Sequence, residues 1–265
     1  MNLNSNAFVF TGNFIETSNF RFKDYLSNVV MQVKYMNNFE NRHMIYSCKD
    51  IPLFHHFNFR EIAAFKYYFW MKNILHFPEF AHKKFRMDDY PDEFFELGRS
   101  SLHYYNQLDS TEIWNIESLN STIRQVEFYH DSNTFSNPKE ILELYMAIGK
   151  LIDHLEAQAT AGYKFKWDDP EKKKLGNYQM YFNEIIILEN SMLVNLNGIM
   201  SAFLVHNVLN VMMTRDVAFC ENMNRYIQNL IKKSTLISTV SERERFRFFK
   251  NLRNRIESRK QNLKA

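Results

Sequence analysis

The sequence predicts an all-α protein, a multi-helix globular domain around one long, nearly all-apolar central helix. Only six Gly and five Pro occur in 265 residues, and so few helix breakers favour long helices over a many-stranded sandwich. An apolar segment runs from about Tyr178 to Ile237, and polar helix-start signals recur along the chain. The same pattern leaves room for one or two short N-terminal strands.

The composition is that of an ordinary globular protein. Hydrophobic residues make up 45% and charged residues 24% of the chain, which argues against wholesale disorder, and the length fits one large domain. The 25 Phe and 14 Tyr can fill a core and also populate interfaces. Two cysteines, Cys48 and Cys220, cannot form a disulfide framework or a Cys-rich zinc site. With no secretion-type leader at the N-terminus, we expect a cytoplasmic protein.

Residues 1–57 are predicted to form an irregular N-terminal segment with one helix. Apolar residues at helical spacing place that helix near residues 20–37. The stretches 7–10 and 43–48 have the composition of short strands. The segment is followed by a helical core at 58–240 and by a basic helix at 241–265, all within one domain.

The helical core contains several helix-start signals. Asn58 with Glu61 resembles a capping box, Pro91 precedes an acidic turn, and Asn137-Pro138 with Glu140 opens an amphipathic stretch. Asp109 or Ser110 is a candidate cap for a further helix, which lies between the one that starts at Pro91 and the one that starts at Pro138. These signals predict helices at 58–75, 91–107, 109–130 and 138–158, followed by one that starts near 169.

The segment from 178 to 237 is predicted to be the central helix. Its polar residues are mostly Asn and Ser, confined to a narrow strip, so the helix would be buried on nearly every side. Gly198 in its middle is interpreted as a close helix crossing or a kink. A break is expected near 214–216. Because neutral side chains line its strip, we interpret the segment as a structural spine.

The last 25 residues carry the positive charge of the chain. Nine Lys or Arg face three Glu, a net charge of +6, which leaves −3 for the other residues of a chain whose formal net charge is +3. Ser241 with Glu244 opens the helix, and Phe249, Leu252 and Ile256 form an apolar stripe for docking on the core. Its basic face is predicted to bind nucleic acid, through Arg243, Arg245, Arg247, Lys250, Arg253, Arg255, Arg259 and Lys260.

Residues 124–130, Arg-Gln-Val-Glu-Phe-Tyr-His, resemble the Arg-polar-x4-His signature of HEPN ribonucleases. Members of that family are helical domains that cleave RNA without metal, usually across a dimer. The resemblance implies that Arg124 stabilises phosphate charge and that His130 acts in acid–base transfer at the ribose 2′-hydroxyl. It covers seven residues. The alternative interpretation is a solvated helix end where His130 complements the helix dipole.

Two Glu-x-x-His pairs, 79–82 and 127–130, have the spacing with which ferritin-like bundles present metal ligands. Such a site needs further glutamates from two other helices, for which Glu61 and Glu96 are candidates without any distinguishing spacing. Nucleotide-binding Gly-rich loops, H-E-x-x-H and G-x-S-x-G are absent from the sequence. We therefore expect no metal site and no cofactor.

These observations favour a helical binding or assembly subunit of an intracellular complex that contacts nucleic acid through its last helix. The alternative is a HEPN-like ribonuclease, as a toxin or antiviral effector, and a ferritin-like metal bundle is a remote third. A protein partner or self-association is expected, because a helix apolar on nearly every face needs more cover than short neighbours give. No apolar stretch reaches membrane-spanning length, and contact with a membrane surface is not favoured.

Overall fold

The fold is mixed α/β, in a computed structural model that describes residues 7–10, 22–74, 77–183, 188–205 and 211–263. Within these ranges eight strands form one sheet, with helices on both of its faces. The predicted all-α class and its long central helix are therefore wrong. Parts of the predicted elements lie outside the described residues, at 20–21, 75, 184–187, 206–210 and 264–265.

The described helices, in chain order, are α1 (Phe22–Met36), α2 (Leu53–His56), α3 (Arg60–Phe69), α4 (Asp92–Asn106), α5 (Ile116–Asp131), α6 (Pro138–Ala161), α7 (Val217–Lys232) and α8 (Glu242–Asn262). The described strands are β1 (Ala7–Phe10), β2 (Arg42–Cys48), β3 (Asp109–Trp114), β4 (Tyr178–Phe182), β5 (Ser191–Leu196), β6 (Ile199–Val205), β7 (Val211–Thr214) and β8 (Thr235–Leu236). A π-helical turn, Trp70–Ile74, follows α3 directly.

The sheet has the strand order β1-β7-β6-β5-β2-β3-β4-β8. Strands β2, β3 and β4 are parallel and adjacent, fifth to seventh in this order. Helices α2 to α6 lie in the two connections between them. Strands β5, β6 and β7 form an antiparallel meander beside β2, and β1 and β8 pair with the two ends. Parallel pairing requires such long crossovers, which explains why much of the helical sequence lies between β2 and β4.

The apolar segment that was predicted to be one helix forms strands β4 to β7 in its first part and helix α7 in its second. A strand buried on both faces is a continuous apolar run, which periodicity alone does not distinguish from a buried helix. Asn197-Gly198, which forms the two-residue turn between β5 and β6, is the one local signal for a hairpin in this segment. Both residues have positive φ, 50° and 88°, as a type I′ hairpin turn requires. Gly198 is a turn residue, and its interpretation as a kink is wrong.

The helix predicted from Asp109 or Ser110 was wrong at its start. Residues Asp109–Trp114 form β3 between β2 and β4, and α5 begins only after Asn115. There the Asn115 side chain accepts from the backbone N–H of Ser118 at 2.9 Å, in a reciprocal capping box. Isoleucine and tryptophan at the end of the strand have high β propensity, and burial in the centre of the sheet determines the outcome.

Several other predicted elements are confirmed. The strands at 7–10 and 43–48 and the helices at 20–37, 91–107 and 138–158 correspond to β1, β2, α1, α4 and α6. The capping boxes at Asn137 and Ser241 are present. Asn58 does not cap α3, because that helix begins after Phe59 without a side-chain cap. The predicted capping boxes are thus present at two of their three predicted places.

Two apolar cores lie on the two faces of the sheet. The larger contains β2, β3 and β4 residues together with α1 to α6 and α8. The smaller lies under α7, where Cys220 and Ile227 pack against Ile113 and Leu193. This arrangement provides the cover that a second chain was expected to give. Among the described helices, none is both long enough and apolar enough to cross a membrane.

Two glycines give a matched test of this packing. A Cβ on Gly176 would lie 2.6 Å from the carbonyl oxygen of Leu108 and 2.8 Å from that of Asn106, whereas one on Gly149 in α6 would meet nothing within 4 Å. We expect Gly176→Ala to lower the free energy of unfolding by roughly 1–3 kcal/mol. Gly149→Ala should raise it by about 0.5–1 kcal/mol, because alanine favours a helix.

Urea unfolding of both variants measures these changes. Equal effects of the two substitutions would contradict the close approach of residues 106–108 to Gly176.

Candidate functional site

Helix α8 is held on the body of the protein by its apolar stripe. Phe249, Leu252 and Ile256 are at most 1% exposed, which confirms the predicted docking stripe. Phe248 beside them lies against Phe182 of β4, with ring centroids 3.8 Å apart. The predicted basic face is therefore fixed to a rigid support.

Ion pairs add to this docking. Arg253 pairs with Asp153, Nε to Oδ1 at 2.7 Å, and with Glu156 of the same helix α6. Arg259 pairs with Glu127 of α5, Nε to Oε1 at 2.6 Å. Since these guanidinium groups already meet carboxylates, they are poor candidates for phosphate contacts.

The outward face of α8 combines three cations and one aromatic ring. Arg243, Arg247 and Lys250 follow one another at spacings of four and three residues, which places them on one side of the helix. All three are exposed, and none makes an ion pair within the described residues. Phe246 lies beside them, 53% exposed, with the Lys250 Nζ 5.5 Å from its ring centroid. We call these four residues the α8 stripe.

The other predicted basic residues lie away from this stripe. Lys260 pairs with Glu257 of the same helix at 2.6 Å. Arg245 is half-buried. Arg255 is exposed, but at 100° per residue it lies about 80° around the helix from Arg247 and about 120° or more from Arg243 and Lys250. The eight predicted contacts thus separate into a stripe of three, three ion-paired residues and two residues elsewhere on the helix.

The two residues of the HEPN resemblance lie on the surface of α5. Arg124 pairs with Glu117, and His130 Nδ1 lies 3.3 Å from Asp131 Oδ1. Six residues of helix separate them by about 9 Å along the axis and by about 120° around it. The helical domain that the resemblance implies is not the fold observed here, and the roles of Arg124 and His130 stay predictions.

The two Glu-x-x-His pairs are not brought together as in a ferritin-like bundle. Glu79 belongs to a single 3-10 turn, Pro78–Phe80, whereas Glu127 and His130 are on α5. Glu127 is also engaged by Arg259. In the part of the chain that the structure describes, no group of three or more His, Cys, Asp or Glu side chains has an arrangement suited to a metal ion.

Sequence reasoning missed a buried polar network around Glu112 of β3. The carboxylate is 1% exposed, and it accepts from His55 Nε2 at 2.9 Å, Trp114 Nε1 at 2.9 Å, the Tyr178 hydroxyl at 2.8 Å and the Tyr105 hydroxyl. Its donors come from α2, α4, β3 and β4. The segment Asp109–Trp114 has four polar residues followed by two apolar ones, without the alternation of a half-buried strand, so no local pattern placed Glu112 in a strand facing inward.

The network keeps Glu112 ionised. Burial by itself raises the pKa of this carboxyl, but the charge of His55 and the hydrogen bonds from His55, Tyr105 and Tyr178 outweigh it and lower the pKa from 4.5 to about 2. All of these side chains are buried. Both oxygens of the Glu112 carboxylate therefore accept hydrogen bonds, and the described side chains around it are buried away from any substrate. The network has a structural role.

Two lysines are also buried, Lys66 and Lys164. Lys164 donates from Nζ to the carbonyl oxygens of Tyr105 and Leu108, both at 2.8 Å. Burial lowers its pKa to about 7, although Glu112 and Asp109 act in the opposite direction. Burial likewise lowers the pKa of Lys66 to about 8, and its Nζ donates to Gln125 Oε1 at 2.5 Å. The hydrogen bonds of Lys164 to Tyr105 and Leu108 hold the chain after α6 close to the amino end of β3.

An open polar groove of about 610 Å³ lies at the amino ends of the parallel strands. Across it runs a hydrogen-bonded row in which His43 Nε2 lies 2.9 Å from Thr111 Oγ1, and that hydroxyl donates to Gln179 Oε1 at 3.2 Å. Burial lowers the pKa of His43, Asp109 raises it and Lys164 lowers it further. Apart from two glycines, the lining side chains are polar: Glu40, Asn41, Arg42, His43, Asp109, Ser110, Asn177, Gln179, Asn195 and Asn197.

Comparison with known proteins returned no matching family model, no matching curated protein and no matching solved structure.

The Glu112 network predicts a specific acid dependence of stability. Because the pKa in the folded state lies below 4.5, the carboxylate contributes stability that is present above about pH 4.5 and is lost as the pH falls towards 2. Replacing Glu112 by Gln should lower the free energy of unfolding at pH 7 by about 3–5 kcal/mol. It should also remove a pH-dependent loss on the order of 3 kcal/mol that the wild type shows over that window.

Urea unfolding at a series of pH values measures both effects. Tyr178→Phe, which removes one hydrogen bond and keeps the carboxylate, should cost about 1–3 kcal/mol and serves as the milder variant if Glu112→Gln does not fold. An identical acid dependence in Glu112→Gln and the wild type would contradict the assignment.

Proposed function

We propose that this chain is a binding subunit that contacts single-stranded nucleic acid through the α8 stripe. The observation that carries the proposal is an exposed aromatic ring, Phe246, among three exposed cations without carboxylate partners in the described residues. Proteins that bind single strands combine a basic track for phosphates with aromatic rings on which bases stack.

The geometry of the stripe suits this ligand. Residues 243 and 250 are about 10 Å apart along the helix axis, a distance that brings them within reach of neighbouring phosphates on one strand. Arginine forms paired hydrogen bonds with phosphate oxygens and also stacks on bases. A folded support lowers the entropic cost of binding, because the α8 backbone is already ordered by its buried stripe.

The cytoplasmic location and a protein partner remain part of this proposal. Cys48 and Cys220 are both buried and unpaired by a disulfide, which accords with a reducing compartment. Met31 and Tyr35, 60% and 56% exposed, are four residues apart on α1 and form a candidate contact for a partner or a second copy. Size-exclusion chromatography with light scattering measures the self-association.

Removing the three cations together should weaken nucleic-acid binding and its salt dependence. In the triple variant Arg243→Ala, Arg247→Ala, Lys250→Ala, the slope of log affinity against log salt should fall by about 2, since single strands lose about 0.7 per phosphate contact. Affinity at low salt should fall at least about tenfold. Fluorescence anisotropy with a labelled single-stranded oligonucleotide of mixed sequence measures both quantities.

The matched control is Lys166→Ala, Lys173→Ala, Lys174→Ala, which removes the same charge from exposed positions after α6. Equal losses in the two triple variants would show nonspecific charge attraction and refute the α8 stripe. Point substitutions are preferable to removing α8, because deletion would take Phe249, Leu252 and Ile256 out of the core.

The Phe246 ring should contribute to the affinity for single strands and not to the affinity for a duplex. Replacing it by Ala should lower single-strand affinity by roughly 5- to 150-fold, the equivalent of about 1–3 kcal/mol of stacking on one base. Binding to a duplex of the same sequence should change little, since its bases are not available for stacking. Phe128→Ala, at a position 64% exposed on α5, is the control.

A second measurement separates this ligand from a membrane. Wild-type binding to phosphatidylserine-containing vesicles, without binding to the oligonucleotide, would replace nucleic acid by an anionic lipid surface. Unchanged single-strand affinity in Phe246→Ala would exclude the stacking role.

A further inference from the structure

A second ligand-binding surface is formed by the polar groove at the amino ends of the parallel strands. Asn195, His43, Thr111 and Gln179 come from β5, β2, β3 and β4, four neighbouring strands. Asn195 lies directly opposite His43, and Thr111 directly opposite Gln179. With a strand spacing of about 4.8 Å, the row spans about 14 Å. A polar row of that length lies on a rigid part of the sheet.

Three side-chain amides of the groove have their oxygen atoms engaged by the protein. Asn195 Oδ1 accepts from the backbone N–H of Gly198 at 2.8 Å, and Asn197 Oδ1 accepts from that of Asn41 at 2.9 Å. Gln179 Oε1 accepts from the Thr111 hydroxyl. Because an amide offers acceptor sites on oxygen and two donors on nitrogen, the NH2 groups of these three exposed residues are left to donate to a ligand.

Acceptors complement these donors. The Thr111 hydroxyl donates to Gln179, so it accepts from His43 Nε2–H and the neutral ring retains Nδ1 as an acceptor. Glu40 and Asp109 add carboxylates to the lining, and one Asp109 oxygen accepts from the backbone N–H of Asn177 at 2.8 Å. The groove therefore offers neutral N–H donors and anionic or neutral acceptors in one place.

The charge of the groove disfavours an anionic ligand. Its one guanidinium, on Arg42, donates to the carbonyl oxygens of Asn37 and Phe39, both at 2.9 Å, and to that of Gln107 at 3.3 Å. It is thus committed to backbone, while the carboxylates of Glu40 and Asp109 remain on the lining. Phosphate groups, which suit the α8 stripe, would be repelled here.

From this arrangement we propose that the groove binds an uncharged, hydroxyl-rich small molecule of the monosaccharide or disaccharide class. Each hydroxyl of such a ligand accepts from an amide N–H and donates to a carboxylate or to His43 Nδ1, so both kinds of lining group are satisfied together. The volume of about 610 Å³ lies within the range of small-molecule sites. The proposal is independent of nucleic-acid binding at α8.

The test is an amide-resolved NMR titration of the full-length protein with D-ribose, D-glucose and maltose, and with glucose 6-phosphate as the anionic counterpart. At least one neutral sugar should shift the side-chain NH2 resonances of Asn195, Asn197 and Gln179 in a saturable manner. Glucose 6-phosphate should bind more weakly than glucose.

The double variant Asn195→Asp, Gln179→Glu removes two amide donors with little change in shape, and should weaken sugar binding at least about tenfold. Its matched control is Asn229→Asp, Gln228→Glu on the exposed side of α7, which adds the same charge away from the groove and should leave binding unchanged. Absence of saturable shifts with all three neutral sugars would overturn the proposal. Equal affinity in the groove variant and the wild type, or tighter binding of the phosphate, would do so too.

Discussion

The arrangement of the helical layer on the sheet depends on one buried carboxylate. Glu112 lies in the central part of the sheet and accepts hydrogen bonds from His55, Tyr105, Trp114 and Tyr178. An ionised group without partners at this depth would cost several kcal/mol. Because its donors come from two strands and two separate helices, the carboxylate is stabilised only when all four elements occupy their native positions. The network thereby couples helix placement to strand register.

The helices that cross over from β2 to β4 supply the larger core, and α8 closes it. The charges of α8 serve two different purposes, which are distinguished by ion pairing with neighbouring helices. Arg253 and Arg259 meet carboxylates of α6 and α5 and hold the helix in place, whereas the cations of the α8 stripe face outward. A basic helix is therefore not uniformly available to a phosphate ligand. The tertiary neighbours of each basic residue determine whether it is available to such a ligand.

The two proposed surfaces select opposite electrostatic classes of ligand. The α8 stripe presents exposed cations around an aromatic ring, which favours phosphates and stacked bases. The groove presents amide donors fixed by hydrogen bonds within the sheet and carboxylates that disfavour anions. Rigid elements support both surfaces, the first on a buried apolar stripe and the second on the ends of the parallel strands.

Local chemistry in the sequence determined several elements without help from the rest of the chain. The capping boxes at Asn137 and Ser241 start α6 and α8, and the stripe of Phe249, Leu252 and Ile256 follows from 3.6-residue periodicity. The concentration of positive charge at the end of the chain was equally visible. Each of these depends on neighbours within about one or two helical turns, which sequence spacing records directly.

The tertiary structure alone decided the fold class, the buried network and the groove. A strand covered on both faces has no alternation to reveal it, so the apolar run that contains β4 to β7 has the same pattern as a buried helix, and only strand pairing distinguishes the two. The Asn197-Gly198 turn was the local exception that sequence reasoning interpreted differently. Glu112 and His55 are 57 residues apart in the chain, and the row of His43, Thr111 and Gln179 crosses three strands. Only strand pairing brings such distant residues into hydrogen-bonding distance.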